Sequence, residues 1–271
     1  MKYTPPMLLI HGGAGSWRST DKEKAVKVLR ESLERGYLEF RRGSSLEAVV
    51  EAVATMEDSG IFNAGRGSVR NSEEGVEMDA GVMYGSTLSV GSVASIRTRN
   101  PIKKAYEVLK QGKHVLMVRT IWEEVLTSGS APSGDTVGAV ALDEQGNLSA
   151  GTSTGGIKGK LPGRVGDSPI PGAGFYATSR IAVSSTGIGE LILKFLPAKE
   201  IDILRAMGYP LEDSVRAVIS KFTETFGKDN LGLIALDHLG FASALFNTSA
   251  MPRGIRWSNG IKVLFDEDDP I

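Results

Sequence analysis

Apolar residues fall into two periodicities along this chain. Met7, Leu8, Leu9 and Ile10 form a short apolar run stopped by His11-Gly12-Gly13-Ala14-Gly15, which reads as a strand ending in a tight turn. From 21 to 42, Ala25, Leu29, Leu33, Tyr37 and Phe40 recur at helical spacing against a charged face. Ser44 and Glu47 have capping-box spacing ahead of a second amphipathic helix that carries Leu46, Val49, Val50, Val53 and Met56. Residues 76–96 alternate, which predicts two or three strands with Gly81, Gly85 and Gly91 at turns or bulges. Pro101 opens a helix that runs to Lys110; residues 114–118 form a strand and 120–126 a short helix. Residues 136–142 and 148–154 pair as a hairpin, which brings Thr154 beside Thr136. The Gly- and Lys-rich segment 155–163 reads as a mobile loop leading to Arg164. Beyond it the pattern gives a strand over 180–185, helices over 191–195, 199–208 and 211–226, a hairpin of 231–236 with 240–244, and a solvated acidic tail. Paired strands between grouped helices predict an α+β fold in packed layers.

One junction in this pattern carries chemistry. The connector Ser128-Gly129-Ser130-Ala131-Pro132-Ser133-Gly134 meets the apolar run that begins after Asp135-Thr136. Cutting the bond before Thr136 would place a free α-amine and a hydroxyl at the head of a rigid strand. An α-amine titrates at about 7.7–8.0, so it can serve as a base near neutral pH. A threonine with its own terminal amine is one way to activate a weak hydroxyl nucleophile. The alternative is a threonine used simply as a β-former. His11, at the end of the first strand, reads as a backbone-bonded histidine rather than a catalytic one.

Composition narrows the field. The 271 residues carry a formal charge of −1, so no polyanion is expected as a partner. Cysteine is absent, which excludes disulfides, thiol catalysis and zinc–thiolate sites. The three histidines, His11, His114 and His238, lack ligand spacing. No apolar run approaches the ~20 residues of a membrane span, and the first residues lack a long apolar core, so the expectation is a cytoplasmic protein without membrane or nucleic-acid partners. Phosphate-loop patterns fail: Thr154 stands where a P-loop needs its first glycine, and Gly187-Ile188-Gly189 is not followed by the third glycine of a dinucleotide fingerprint.

Further motifs follow in order: Asp135-Thr136-Val137-Gly138, Thr152-Ser153-Thr154-Gly155-Gly156, Gly163-Arg164-Val165-Gly166-Asp167-Ser168-Pro169, Gly172-Ala173-Gly174 and Thr186-Gly187-Ile188-Gly189-Glu190. With His11–Gly15 and Phe62-Asn63-Ala64-Gly65, this series resembles the plant-type L-asparaginase / isoaspartyl peptidase family of N-terminal nucleophile hydrolases over nearly the whole chain. The resemblance implies an αββα sandwich forming a single domain over 1–271. Self-cleavage would divide it into an α portion, 1–135, and a β portion, 136–271. It also implies a homodimer, (αβ)2 after processing.

The same resemblance implies roles. Thr136 would be the nucleophile, with Asp135-Thr136 as the cleavage site, and Thr154 would contact its hydroxyl and amine. Arg164 would hold the substrate α-carboxylate through its guanidinium fork, and Asp167 the α-ammonium. The residues alone leave Arg164 and Asp167 open to a second reading, a surface ion pair. Thr186 and Gly187 would supply the oxyanion donors, and Asn63 polar support. The loop after the second helix would hold a structural sodium on the backbone carbonyls of Met56, Glu57, Ser59, Phe62, Ala64 and Arg66, with Gly60 where the family often has proline. No cofactor is implied for catalysis. The implied activity is release of aspartate from L-asparagine or β-aspartyl (isoaspartyl) dipeptides. Asp-Thr also occurs at the cut of glycosylasparaginases and threonine aspartases, and an unprocessed homologue that only binds amino acids is the alternative of a different class. The connector before Thr136 is shorter than in many members.

Overall fold

The structure is a computed structural model that describes residues 1–18, 21–118, 135–265 and 271. The predicted helix over 120–126, the connector before Asp135 and the acidic tail lie outside the described residues. In chain order the elements are β1 (Met7–His11), α1 (Lys22–Leu38), α2 (Ser45–Ser59), β2 (Met78–Tyr84), β3 (Ser89–Ile96), α3 (Pro101–Gln111), β4 (Leu116–Val118), β5 (Val137–Leu142), β6 (Leu148–Thr154), β7 (Phe175–Ala177), β8 (Ile181–Gly187), α4 (Gly189–Phe195), α5 (Pro197–Ala206), α6 (Leu211–Phe226), β9 (Leu231–Asp237), β10 (Ala242–Phe246), β11 (Arg253–Trp257) and β12 (Gly260–Leu264). Among the described residues eight strands form one sheet, in the order β12-β11-β1-β5-β6-β2-β3-β4, and four form another, β10-β9-β8-β7. Neighbours are antiparallel except β3 and β4, which are parallel.

Strand alternation separates the buried side chains by face. Leu8, Ile10, Val137, Ala139 and Ala141 point to the helical side of the large sheet, where they pack with Leu29 and Leu33 of α1, Val49 and Val53 of α2, and Ile102 of α3. Met7, Leu9, Val140, Leu142, Leu148 and Ala150 point the other way and meet Phe175, Ala182, Ile234 and Leu236 of the small sheet. The outer face of that sheet, Ile181, Val183, Leu231 and Leu233, is covered by Ile201 of α5 and by Val215 and Phe222 of α6. This is a mixed fold of the α+β kind. Among the described residues no helix is long and apolar enough to cross a membrane.

The capping box at α2 forms as its spacing predicts: Glu47 accepts the Ser44 N–H at 2.9 Å, and the Ser44 hydroxyl accepts the Leu46 N–H at 3.2 Å. Strand β5 lies between β1 and β6, and β6 pairs with β2. The strands before and after position 136 are therefore interleaved in one sheet.

Candidate active site

Toward one end of the layer between the sheets, the alternating side chains turn from apolar to polar. His11, Thr136, Thr152 and Thr154 continue the inner face of the large sheet, and Ser184 and Thr186 that of the small sheet; all six are buried. The Thr136 hydroxyl donates to the Thr154 hydroxyl at 3.1 Å, and the latter also accepts the Gly156 N–H at 3.0 Å. The β5–β6 register fixes this contact, since Val137 lies opposite Ser153 and places the preceding threonine opposite Thr154.

Behind Thr136 runs a buried hydrogen-bonded chain. His11 Nε2 and Ser184 Oγ are 2.9 Å apart, Ser184 and Thr152 hydroxyls 2.9 Å, and Thr152 donates to the Gly174 carbonyl at 2.9 Å. Burial lowers the His11 pKa to about 3, so the imidazole is neutral. His11 is the last residue of β1, the strand end read from the sequence, and a backbone hydrogen bond to Thr136 works against the burial; the Ser184 contact at Nε2 comes in addition, from the facing sheet.

Asp135 precedes Thr136, and its Oδ1 accepts the Thr136 N–H at 2.8 Å. The residue is partly exposed, but its carboxyl is enclosed; burial raises it to about 6, against hydrogen bonds from the Thr136 backbone and side chain. The turn after β1 closes over this pair. Gly13, at φ +101°, lies so close that a Cβ there would stand 2.5 Å from Asp135 Cβ and 2.8 Å from its carbonyl carbon. The next residue, Ala14, donates its N–H to Thr186 Oγ1 at 3.2 Å. With that oxygen accepting, the Thr186 hydroxyl proton is free to donate elsewhere. Gly187, at φ +140°, ends β8 just before α4.

Arg164 and Asp167 do not form a surface ion pair. Arg164 Nε donates to Glu190 Oε1 at 2.7 Å. Its Nη2 is buried without a hydrogen-bond partner, as is Asp167 Oδ2. The Asp167 carboxyl is raised to about 7, first by burial and also by the neighbouring Asp135 charge, with Arg164 pulling the other way. Glu190 did not stand out in the sequence, although it closes the Thr186–Glu190 motif. Gly189 beside it leaves room for both side chains: a Cβ there would stand 2.8 Å from Arg164 Nη2 and 2.8 Å from Asp167 Oδ1.

Asn63 braces the turn beyond Thr154. Its side chain donates to the Gly156 carbonyl at 2.6 Å and accepts the Val69 N–H at 3.0 Å, and its carbonyl accepts the Gly155 N–H at 2.9 Å. The loop proposed for sodium is a tight run of carbonyls. Met56 O accepts the Ser59 hydroxyl at 2.7 Å, Phe62 O the Ala64 N–H at 2.9 Å and Ala64 O the Gly67 N–H at 3.1 Å, which leaves each oxygen a second lone pair. Backbone carbonyl oxygens are ligands of a kind that suits a hard cation. The Glu57 side chain lies elsewhere, accepting from Ser153 at 2.6 Å and from the Ile102 N–H at 3.0 Å, and burial raises it to about 8. Among the described residues no group of three or more His, Cys, Asp or Glu could hold a metal.

A hydroxyl at a strand head, with a guanidinium and a carboxyl that each keep one buried atom unpartnered, is the layout of an amide hydrolase for amino-acid substrates. The chain belongs to the asparaginase family, whose sequence model, described as asparaginase, matches residues 4–126 and 121–265. It is similar to the plant-type L-asparaginase of Pyrobaculum calidifontis, 38% identical over 286 residues that cover 91% of this chain and 95% of that protein. It is also similar to the isoaspartyl peptidase of Escherichia coli, 37% identical with 91% of each chain covered. The isoaspartyl peptidase/L-asparaginase of Danio rerio is 36% identical, over 91% of this chain and 90% of that one.

Proposed function

We propose that this protein is an autoprocessing threonine hydrolase that cleaves L-asparagine and β-aspartyl dipeptides to release aspartate. The observation that carries the reading is the pair of unpartnered atoms, Arg164 Nη2 and Asp167 Oδ2, on two side chains that converge beside Gly189, where Arg164 Nη2 and Asp167 Oδ1 come close. A guanidinium N–H and a carboxylate in one buried site match the α-carboxylate and α-ammonium of an amino acid. Asparagine and a β-aspartyl dipeptide share that aspartyl half, and the names of the similar proteins include both activities.

In this reading the reaction has two stages. First the Thr136 hydroxyl attacks the Asp135 carbonyl carbon, the peptide bond gives way to an ester, and water hydrolyses the ester. In this reading the Asp135 carboxyl, which accepts the Thr136 N–H, takes the hydroxyl proton as the hydroxyl turns from Thr154. The freed Thr136 amine then serves as base while its hydroxyl attacks the substrate side-chain carbonyl. The Thr186 hydroxyl and the Gly187 N–H stabilise the oxyanion, and Thr154 orients the nucleophile. Ammonia or an amino acid leaves, and water releases aspartate.

The three-core packing supports the αββα sandwich, and the interleaved strands support a single domain over 1–271 that holds together after the cut between portions 1–135 and 136–271. We extend the reading to a homodimer, (αβ)2 after processing, with no cofactor in catalysis. In the same reading the carbonyls of Met56, Glu57, Ser59, Phe62, Ala64 and Arg66 hold a sodium ion that stiffens the Asn63 loop by charge alone. The test is a substrate panel on purified protein. Ammonia from L-asparagine or free amino acid from a β-aspartyl dipeptide is the expected outcome. Hydrolysis restricted to a glycosylated asparagine would overturn the substrate assignment.

A further inference from the structure

The segment that carries Arg164 is held from behind by groups that the mechanism leaves unused. Asp79, fully buried in β2, accepts the Gly166 N–H on Oδ2 at 3.2 Å and the Ser95 N–H on Oδ1 at 2.8 Å. Glu77, two residues earlier, accepts the Gly163 N–H on both oxygens at 3.2 and 3.0 Å, the Ser95 hydroxyl at 2.9 Å and the Asn71 amide at 3.0 Å. Its backbone carbonyl accepts Lys160 Nζ at 2.7 Å. Within segment 155–163, read from the sequence as a mobile loop, Lys160 turns inward and is buried while its neighbours on both sides are exposed.

Ser95 explains how one residue serves both carboxylates. The β2–β3 register shifts between Met78 and Ala80, and Ser95 sits in the bulge at φ +54°, a costly conformation for serine. Strain of this kind persists where the surroundings over-determine it. Here the bulge aims the Ser95 N–H at Asp79 and its hydroxyl at Glu77. Burial raises the Asp79 pKa and lowers that of Lys160, while each charge favours the other.

Gly163 and Gly166 flank Arg164, so the turn is gripped on both sides. Gly166 also touches the guanidinium: a Cβ there would lie 2.8 Å from Arg164 Nη1 and 3.2 Å from Cζ. Displacing Gly166 displaces the cation that, in the reading above, takes the substrate carboxylate.

We propose that Glu77, Asp79 and Lys160 form a positioning unit that sets the Arg164 guanidinium for the α-carboxylate of an aspartyl substrate, without touching the substrate. This rests on the proposed hydrolase activity. The test is Asp79→Asn and Glu77→Gln in processed enzyme, with β-alanine, which is aspartate without its α-carboxylate, as a second probe. Each variant should raise KM for L-asparagine about tenfold, keep kcat within about twofold and leave inhibition by β-alanine unchanged. The pattern should follow aspartate inhibition, which weakens in parallel with the KM change. A fall in kcat at constant KM, an equal loss for both inhibitors, or no change at all overturns the proposal. If β-alanine fails to inhibit the wild type, the split between KM and kcat decides alone. Glu77→Gln, at a half-buried position, carries the test if Asp79→Asn does not fold. A wild type that hydrolyses neither asparagine nor a β-aspartyl dipeptide is a different failure: it removes the hydrolase reading, and the proposal with it.

Discussion

Arg164 Nη2 and Asp167 Oδ1 each lie 2.8 Å from a single point, the place a Cβ would occupy on Gly189. The two side chains thus converge over a bare α-carbon, and Gly189→Ala pushes on both at once. Displacements near 1 Å at a positioned group cost about 100-fold. We expect Gly189→Ala to lose about that much in kcat/KM for L-asparagine and to fold as the wild type does. Wild-type kcat/KM in this variant would contradict the arrangement.

Removing the cation itself separates the two stages. Self-cleavage involves no free amino acid, so Arg164→Ala is expected to process at Thr136 and to turn over asparagine at least 100-fold more slowly. A side-by-side assay of chain cleavage and ammonia release measures both. Wild-type turnover in the processed variant would remove Arg164 from the site.

The Asp167 carboxyl, raised to about 7 mainly by burial, gives a signed pH prediction. Below that value the group is neutral and cannot pair with an ammonium; above it, the anion can. The kcat/KM for L-asparagine therefore falls as pH drops through about 7, approaching about tenfold per unit in acid, with the loss carried by KM. A pH profile that stays flat from about 8 to about 5 would count against this assignment.

Thr136→Ala lacks the attacking group of both stages. It is expected to remain one chain under denaturing conditions and to release no ammonia. Activity surviving rigorous purification would point to another nucleophile.

Much of this layout was legible in the sequence, and particular residues show where legibility stopped. The hairpin of β5 and β6 follows from its apolar runs, and with it the Thr136–Thr154 contact. The capping box at Ser44 is a local pattern and formed as spaced. Strands β7, β11 and β12 are too short to show a pattern of their own, although β7 pairs with the adjacent β8 and β12 with the adjacent β11; only the pairing of β11 with β1 spans a long sequence separation. Gly81 and Gly91 were expected at turns or bulges, yet they lie inside strands, where a Cβ would strike Phe175 and the α3 backbone respectively. Partner identity was the least visible property. Nothing near His11 in the chain indicates Ser184, and nothing near Arg164 indicates Asp79 or Glu190, because β8 of the facing sheet, β2 and α4 supply them through tertiary packing.

The central claim is that the bond before Thr136 is the one the protein cuts. Thr136 heads a rigid strand, its hydroxyl is held by Thr154, and the Asp135 backbone is pressed against Gly13. The short connector bears on rate rather than position, so heat or long incubation is allowed for. Intact-mass analysis with N-terminal sequencing of the incubated wild type tests this most directly. The account predicts two pieces, the second beginning at Thr136, with hydrolase activity rising in step with the cut. Full activity from a chain whose new terminus lies elsewhere, or from one that is never cut, would contradict it.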